Sequence, residues 1–341
     1  MIKIRALGTK ELKQVLTLLK QYGHEELEYS VLRRLRQLYV PLHVLSQLLP
    51  PQWQFMPGIY VAVARDDVMG LVWLTQDGHR NNRWSIDELI IDPDQSTYDI
   101  GTQLVNFVIN RYGGGGVQTF LAYVDQSQDQ ALGLFKSCGF RRATRLHTYR
   151  HATPGELSLQ ADSIKGLREA TRHDAEKLKA LHTDMLPPEV RISLQRHAHD
   201  FNGQGPIGRA SEKAKGGLFK RWVVDDPVRD NLQGAVDISS DNHEDYRLNI
   251  MLHPGWNDNA EALIHFGIQQ VLSISKNNRI QIDVYDFDKA TQQAAATLGF
   301  TLTATLEVLV KDYWILLQDD EREKLRSPLL LFSGETSPAV N

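Results

Sequence analysis

Asp87 and Glu88 stand side by side in a β-rich run, 84–91, that stops at Asp92-Pro93. Alternation along a strand sends neighbouring side chains to opposite faces, so at most one of the two is expected to point into a cleft. Beyond the stop, Ser96-Thr97-Tyr98-Asp99 leads into Ile100-Gly101-Thr102, where a helix is expected to open. A helix N-terminus presents unpaired N–H groups and a partial positive charge, so this strand–loop–helix suits a phosphate. Other candidates carry less. Gly113-Gly114-Gly115-Gly116 follows a helical run and precedes a strand, the reverse of P-loop order, and reads as a connection. His147 with His151, and His197 with His199, lack the Cys or carboxylate pattern that completes a zinc site, so no metal is expected. Cys138 has no base in view and reads as a buried thiol. Arg33, Arg34 and Arg36 alternate with Leu32, Leu35 and Leu38, the charged face of an amphipathic helix.

The elements that would hold these groups follow from apolar periodicity. Strands are predicted at 2–7, 58–64, 68–75, 84–91, 117–124 and 141–149. Helices are predicted after Thr9 and at 25–39, 100–112 and 128–138. The polar stretch 151–163, with Pro154-Gly155, reads as a linker. The pattern then restarts, with strands at 164–170, 219–224, 232–238, 246–252, 279–285 and 301–310, and helices at 174–184, 260–274 and 289–298. The stretch 191–217 reads as a mobile loop able to reach across to the first half, and 318–341 as a poorly ordered tail. Three landmarks register the halves: Pro93 and Pro254 are 161 residues apart, Gly139-Phe140 and Gly299-Phe300 are 160 apart, and Arg5 and Arg168 are 163 apart. This is the signature of a duplicated domain.

Bulk composition agrees. A chain of 341 residues is long enough for two domains. A net charge of −4 makes no electrostatic case for nucleic acid. The single cysteine excludes an internal disulfide. There is no signal-like N-terminus and no run of ~18 apolar residues, so neither secretion nor a membrane partner is expected, and a cytoplasmic location is.

The region resembles the GNAT superfamily of acyl-CoA-dependent N-acyltransferases. Ile91-Asp92-Pro93 and Ile100-Gly101-Thr102 match the family's V-D-P and the end of its diphosphate-binding loop. Ala131, Leu134, Gly139 and Phe140 match its second element, N-x-x-A-x-x-L-Y-x-x-x-G-F. The resemblance covers about residues 1–150, and a weaker version covers about 164–315. It implies an α/β (α+β) protein of two tandem GNAT-like domains, each a mixed, mostly antiparallel twisted sheet flanked by helices. The boundaries expected are 1–150, a linker at 151–163, a degenerate domain at 164–317 and the tail. It implies acetyl-CoA as acyl donor, held by Ile90, Ile91, Ser96, Ile100, Gly101 and Thr102, and a small-molecule or peptide amine as acceptor. A carboxylate on the fourth strand is often the base in the family, which points to Glu88 or Asp87. The family's usual tyrosine acid is Phe135 here, so water, Tyr123 or Tyr149 would replace it. Trp53, Phe55 and Met56 fall where the acceptor site is often bordered. This chain departs from the loop pattern at Ser96, Thr97 and Asp99, and the second half keeps only Pro254 and Ala262 of it. Two functions follow: an N-acetyltransferase working in the first half, or a GNAT-fold binding or scaffold protein without turnover.

Overall fold

The computed structural model describes residues 2–8, 10–22, 58–78, 82–151, 164–201, 218–240, 243–274 and 279–313. The first half runs β1 (Lys3–Ala6), α1 (Leu12–Tyr22), β2 (Gly58–Ala64), β3 (Asp67–Gln76), β4 (Arg83–Ile91), α2 (Thr97–Gly113), β5 (Thr119–Asp125), α3 (Asp129–Ser137) and β6 (Arg141–His151). The second runs β7 (Leu167–Glu169), α4 (Ala175–Met185), α5 (Pro188–Leu194), α6 (Ala198–Phe201), β8 (Leu218–Asp225), β9 (Leu232–Ser240), β10 (Asp245–Leu252), α7 (Ala260–Ile274), β11 (Arg279–Tyr285), α8 (Lys289–Thr297) and β12 (Thr301–Asp312). The helix expected at 25–39, residues Trp53, Phe55 and Met56, the linker beyond His151 and the tail all lie outside the described residues.

The mixed, mostly antiparallel sheet flanked by helices is the architecture expected. Its continuity is new. The twelve described strands form one sheet in the order β1-β2-β3-β4-β5-β12-β6-β11-β10-β9-β8-β7. Only β4–β5 and β10–β11 are parallel pairs among the described strands. The last strand of each half sits in the other: β12 lies between β5 and β6, and β6 lies between β12 and β11. Where the two exchanged strands meet, Leu146 pairs with Leu306. That pair has the same 160-residue offset as the Gly-Phe landmarks, so a pseudo-twofold axis passes through it.

Each half repeats the same anchoring devices. Arg5 donates to Glu11 at 2.5 Å, and Arg168 donates to Asp174 at 2.7 and 2.9 Å and to Asp225 at 2.6 and 2.8 Å. In both cases an arginine on the opening strand ties a carboxylate six residues on. Each half also closes on the same turn. Gly139 and Gly299 end α3 and α8 with φ of +83° and +80°, a conformation glycine adopts without penalty. The next amide reaches back over the helix end, Phe140 N–H to Phe135 C=O and Phe300 N–H to Ala295 C=O, both at 3.0 Å. Phe140 and Phe300 then enter the two main cores, 5% and 4% exposed.

Helices α2 and α3 cover one face of the first half over Trp84, Ile86, Phe120 and Ala122. On the other face α1 packs over Val61, Leu71, Trp73 and Ile90. The expected mobile loop at 191–217 is corrected as far as it is described. Residues 191–201 complete α5 and form α6, and Val190 and Leu194 pack onto Leu121, Val308 and Val310. Pro188 at the first turn and the i, i+4 pair Val190/Leu194 explain the helix.

Candidate active site

Strand β4 carries the site because its alternation breaks. Trp73 of β3 pairs with Glu88, but Leu74 pairs with Ile86, so Asp87 is an extra residue on the β4 side. Such a bulge turns two successive side chains to one face. Ile86 and Leu89, three apart, both contact the α2/α3 core. Asp87 and Glu88 therefore share the opposite face, correcting the expectation that only one could enter the cleft. The Thr75 hydroxyl donates to Asp87 at 2.5 Å. Asp87 stays open to solvent, yet the protein crowds it and burial pushes its carboxyl up. Glu88 is 7% exposed. Burial first, and the neighbouring Asp87 charge second, raise its pKa to about 7.

Beside this bulge the sheet opens. The β4–β5 ladder runs from Arg83–Thr119 to Ile86–Ala122 and stops there. The strands themselves continue to Ile91 and Asp125. A backbone edge from Asp87 to Ile91, which includes Ile90 and Ile91, is thereby left facing the gap. Backbone N–H and C=O groups on such an edge are left free of ladder partners across the gap.

The loop beyond β4 is tighter than expected. Helix α2 begins at Thr97, three residues before Ile100, and Ser96 is its N-cap, its hydroxyl accepting from the Asp99 amide at 3.3 Å. The Ile100 amide donates to the Ser96 carbonyl at 3.1 Å. Gly101 and Thr102 lie inside the helix. The amides at the helix mouth are thus those of Thr97, Tyr98 and Asp99. Ile100 is a core residue at 3% exposure. Gly101 serves packing, since a Cβ there would lie 2.3 Å from Leu134 Cδ1. Asp92, Asp94 and Asp99 lie in or next to the same loop, which retains a helix mouth.

Tyr123 stands on β5 on the same face as Asp87, one residue past the last paired position. It packs under α5 in the same cluster as Tyr285 of β11. Burial pushes its phenol well above the usual value, so it stays protonated. Tyr149 is on the other face, against the second core. Phe135 is 4% exposed and makes an edge contact with Phe140, centroids 5.1 Å apart.

The second half closes the wall beside Tyr123. Arg196 donates to Asp77 at 2.5 Å, Arg83 pairs with the same carboxylate at 2.7 Å, and Arg83 also donates to the Gln195 carbonyl at 2.9 Å. Asp77, Arg83, Arg196 and Tyr285 were not singled out from the sequence. The helical spacing in α5 was the available signal. Strands β10 and β11 repeat the opening, their ladder ending at Leu248–Ile282. No bulge interrupts β10 against β9, and Asn249 occupies the position of Glu88. After β10, Pro254–Asn259 is a 3-10 turn whose Trp256 ring closes on Gly234.

Among known proteins, residues 24–140 match the Acetyltransferase (GNAT) family. No curated protein matches the chain in sequence. Solved structures do match in fold. A tandem GNAT protein from the clavulanic acid biosynthesis pathway superposes with a TM-score of 0.58 at 13% identity, over 93% of this chain and 100% of the other. A GCN5-related N-acetyltransferase from Sphaerobacter thermophilus gives 0.60 at 13% identity, over 93% and 97%. A putative acetyltransferase from Pyrococcus horikoshii gives 0.52 at 12% identity, over 92% and 90%. The class is therefore the tandem GNAT fold. The sequence match is confined to residues 24–140, and it supports acyl transfer in general terms for that segment. Among the described residues no helix is long and apolar enough to cross a membrane, and no three His, Cys, Asp or Glu side chains converge as metal ligands.

Proposed function

We propose that this protein is an N-acetyltransferase whose chemistry occurs in the first half, on a primary amine of a small molecule or peptide. The observation that carries the reading is Glu88, a buried carboxylate at the β4 bulge whose pKa of about 7 suits a general base at neutral pH. Acetyl-CoA, the donor typical of the family, would supply the acyl group as a thioester. Leu89, Ile90 and Ile91 would hold its arm through their backbone, and the Thr97 and Tyr98 amides would face its diphosphate. Glu88 takes the proton from the acceptor ammonium. Asp87, fixed by Thr75, keeps the Glu88 pKa high. Tyr123, kept protonated by burial, holds a proton for the departing sulfur.

Titration calorimetry with acetyl-CoA, followed by thiol release with a panel of primary amines, tests this. The wild type is expected to bind and turn over, and Glu88→Gln to lose about 10²–10⁴-fold in kcat/KM with donor binding retained. No binding at millimolar acetyl-CoA would sink the reading. The second reading, a binding protein without turnover, is favoured by the acidic loop and by Phe135 in place of a tyrosine. It predicts binding without thiol release.

A further inference from the structure

The second half reaches the first through the short join between α5 and α6. Leu194 packs in one cluster with Leu121 and Tyr123 of β5. One residue on, the Gln195 carbonyl accepts from Arg83 of β4 at 2.9 Å. The next residue, Arg196, donates to Asp77 at 2.5 Å, and Arg83 pairs with the other oxygen of that carboxylate at 2.7 Å. At Gly78, where φ is +94°, an added Cβ would lie 2.8 Å from Asp200 Oδ1 of α6. Residues 194–200 are thus pinned to the β3–β4 turn and to β5 beside Tyr123.

Two guanidiniums on one carboxylate leave one positive charge in excess. The side chains of Arg196, Asp77 and Arg83 are 31%, 15% and 11% exposed, so salt screens them little. Tyr285 connects this triad to Tyr123: it lines one cavity with Arg196 and shares the cluster of Tyr123. The charged and titratable groups acting on Tyr123 among the described residues are Tyr285, Asp77, Arg196 and Arg83. Arg196 feels both phenols in return. The excess charge has a chemical meaning there. Burial keeps the Tyr123 phenol protonated, and a phenol that holds its proton too firmly is a poor acid. A cation nearby favours the phenolate and offsets part of the cost of burial.

We propose that Arg196, supplied by the second half, is a positioning residue of the first-half site, placing beside Tyr123 a positive charge that stabilises the phenolate formed as sulfur departs. This rests on the reading of Tyr123 as the acid. As the C–S bond breaks, its electron pair goes to sulfur, sulfur takes the Tyr123 proton, and the phenolate regains a proton from water. Arg83 stands on the first half's own strand, but Arg196 arrives only when the halves are docked. Full activity of the first half therefore requires the second.

The test uses the full chain with acetyl-CoA and a primary amine that it acetylates. Arg196→Met is expected to lower kcat about 10-fold or more, with the amine KM and the calorimetric Kd for acetyl-CoA unchanged. Arg196→Lys keeps the charge and should recover most of the loss. In Tyr123→Phe, which has no proton to give, Arg196→Met should cost nothing further. A readout independent of activity places a fluorinated tyrosine at position 123 and follows its ionisation by fluorine NMR. The midpoint should move to higher pH in Arg196→Met and not in Arg196→Lys. Arg196→Gln serves in both assays if Arg196→Met melts early. Four results would overturn the proposal: an undiminished kcat, equal losses with and without the Tyr123 hydroxyl, a loss confined to acetyl-CoA binding, or an unmoved midpoint. A wild-type chain that binds acetyl-CoA but releases no thiol would instead refute the N-acetyltransferase reading, and the midpoint would still decide whether Arg196 acts on Tyr123.

Discussion

At the scale of single residues, the site depends on one inserted amino acid. Without the bulge, Asp87 and Glu88 would face opposite sides of the sheet. With it, two carboxylates share one wall, and the buried one resists ionisation. This makes a stability prediction with a definite sign. The folded pKa of Glu88 is raised from 4.5 to about 7, so the folded chain binds more protons than the unfolded chain between those values. Stability should then fall as pH rises through that window, by up to about 3 kcal/mol from this group. In Glu88→Gln this decline should vanish from melting curves taken between pH 4.5 and 7.5. A second prediction concerns Asp87. Asp87→Asn removes the like charge, so the acid limb of the kcat/KM profile should move to lower pH. An unmoved limb would show that Glu88 is not the titrating base. The sequence made these two residues visible as candidates, but not their shared face. A bulge leaves no composition signal when the inserted residue is an ordinary aspartate.

At the scale of elements, most strands and helices were legible, because apolar periodicity is strong where one face packs on a core. Strand β2 and helix α7 match their predicted spans, 58–64 and 260–274, residue for residue. Helix α5 was hidden by its length, seven residues beside a polar, glycine-bearing run. The start of α2 was misplaced because Gly101 was read as a phosphate glycine. Ser96 with Asp99 three residues later was the better cue, a helix-start pattern. Gly101 belongs to helix packing, and this can be checked. Gly101→Ala gains about 1 kcal/mol of helix propensity but drives a methyl into Leu134, so a net loss of about 1–3 kcal/mol is expected. Gly133→Ala in α3 meets nothing within 4 Å, so it should raise the melting temperature instead. If both variants stabilise, the packing account of Gly101 fails.

At the scale of the whole molecule, the duplication was readable from its landmarks and the exchange of strands was not. Register between halves is a sequence property, but which half a final strand joins depends on pairing across space. The exchange predicts that the halves cannot part. Residues 1–157 and 158–341, co-expressed as two chains, should purify as a 1:1 pair, because β12 is bonded on both sides by first-half strands. Recovery of two separate soluble monomers would contradict this. Synthesis of the chain gives the exchange a further meaning. The partner of β5 ends at Asp312, far beyond Asp125. A ribosome adding about 5–20 residues per second needs on the order of ten seconds or more to make the intervening stretch. Throughout that interval the nascent first half exposes the unsatisfied edge of β5, where another unfinished chain could bind. The strand that completes the first half is thus the last of the described strands to emerge, and the yield of protein made in the cell should depend on holdase chaperones that shield the edge until then.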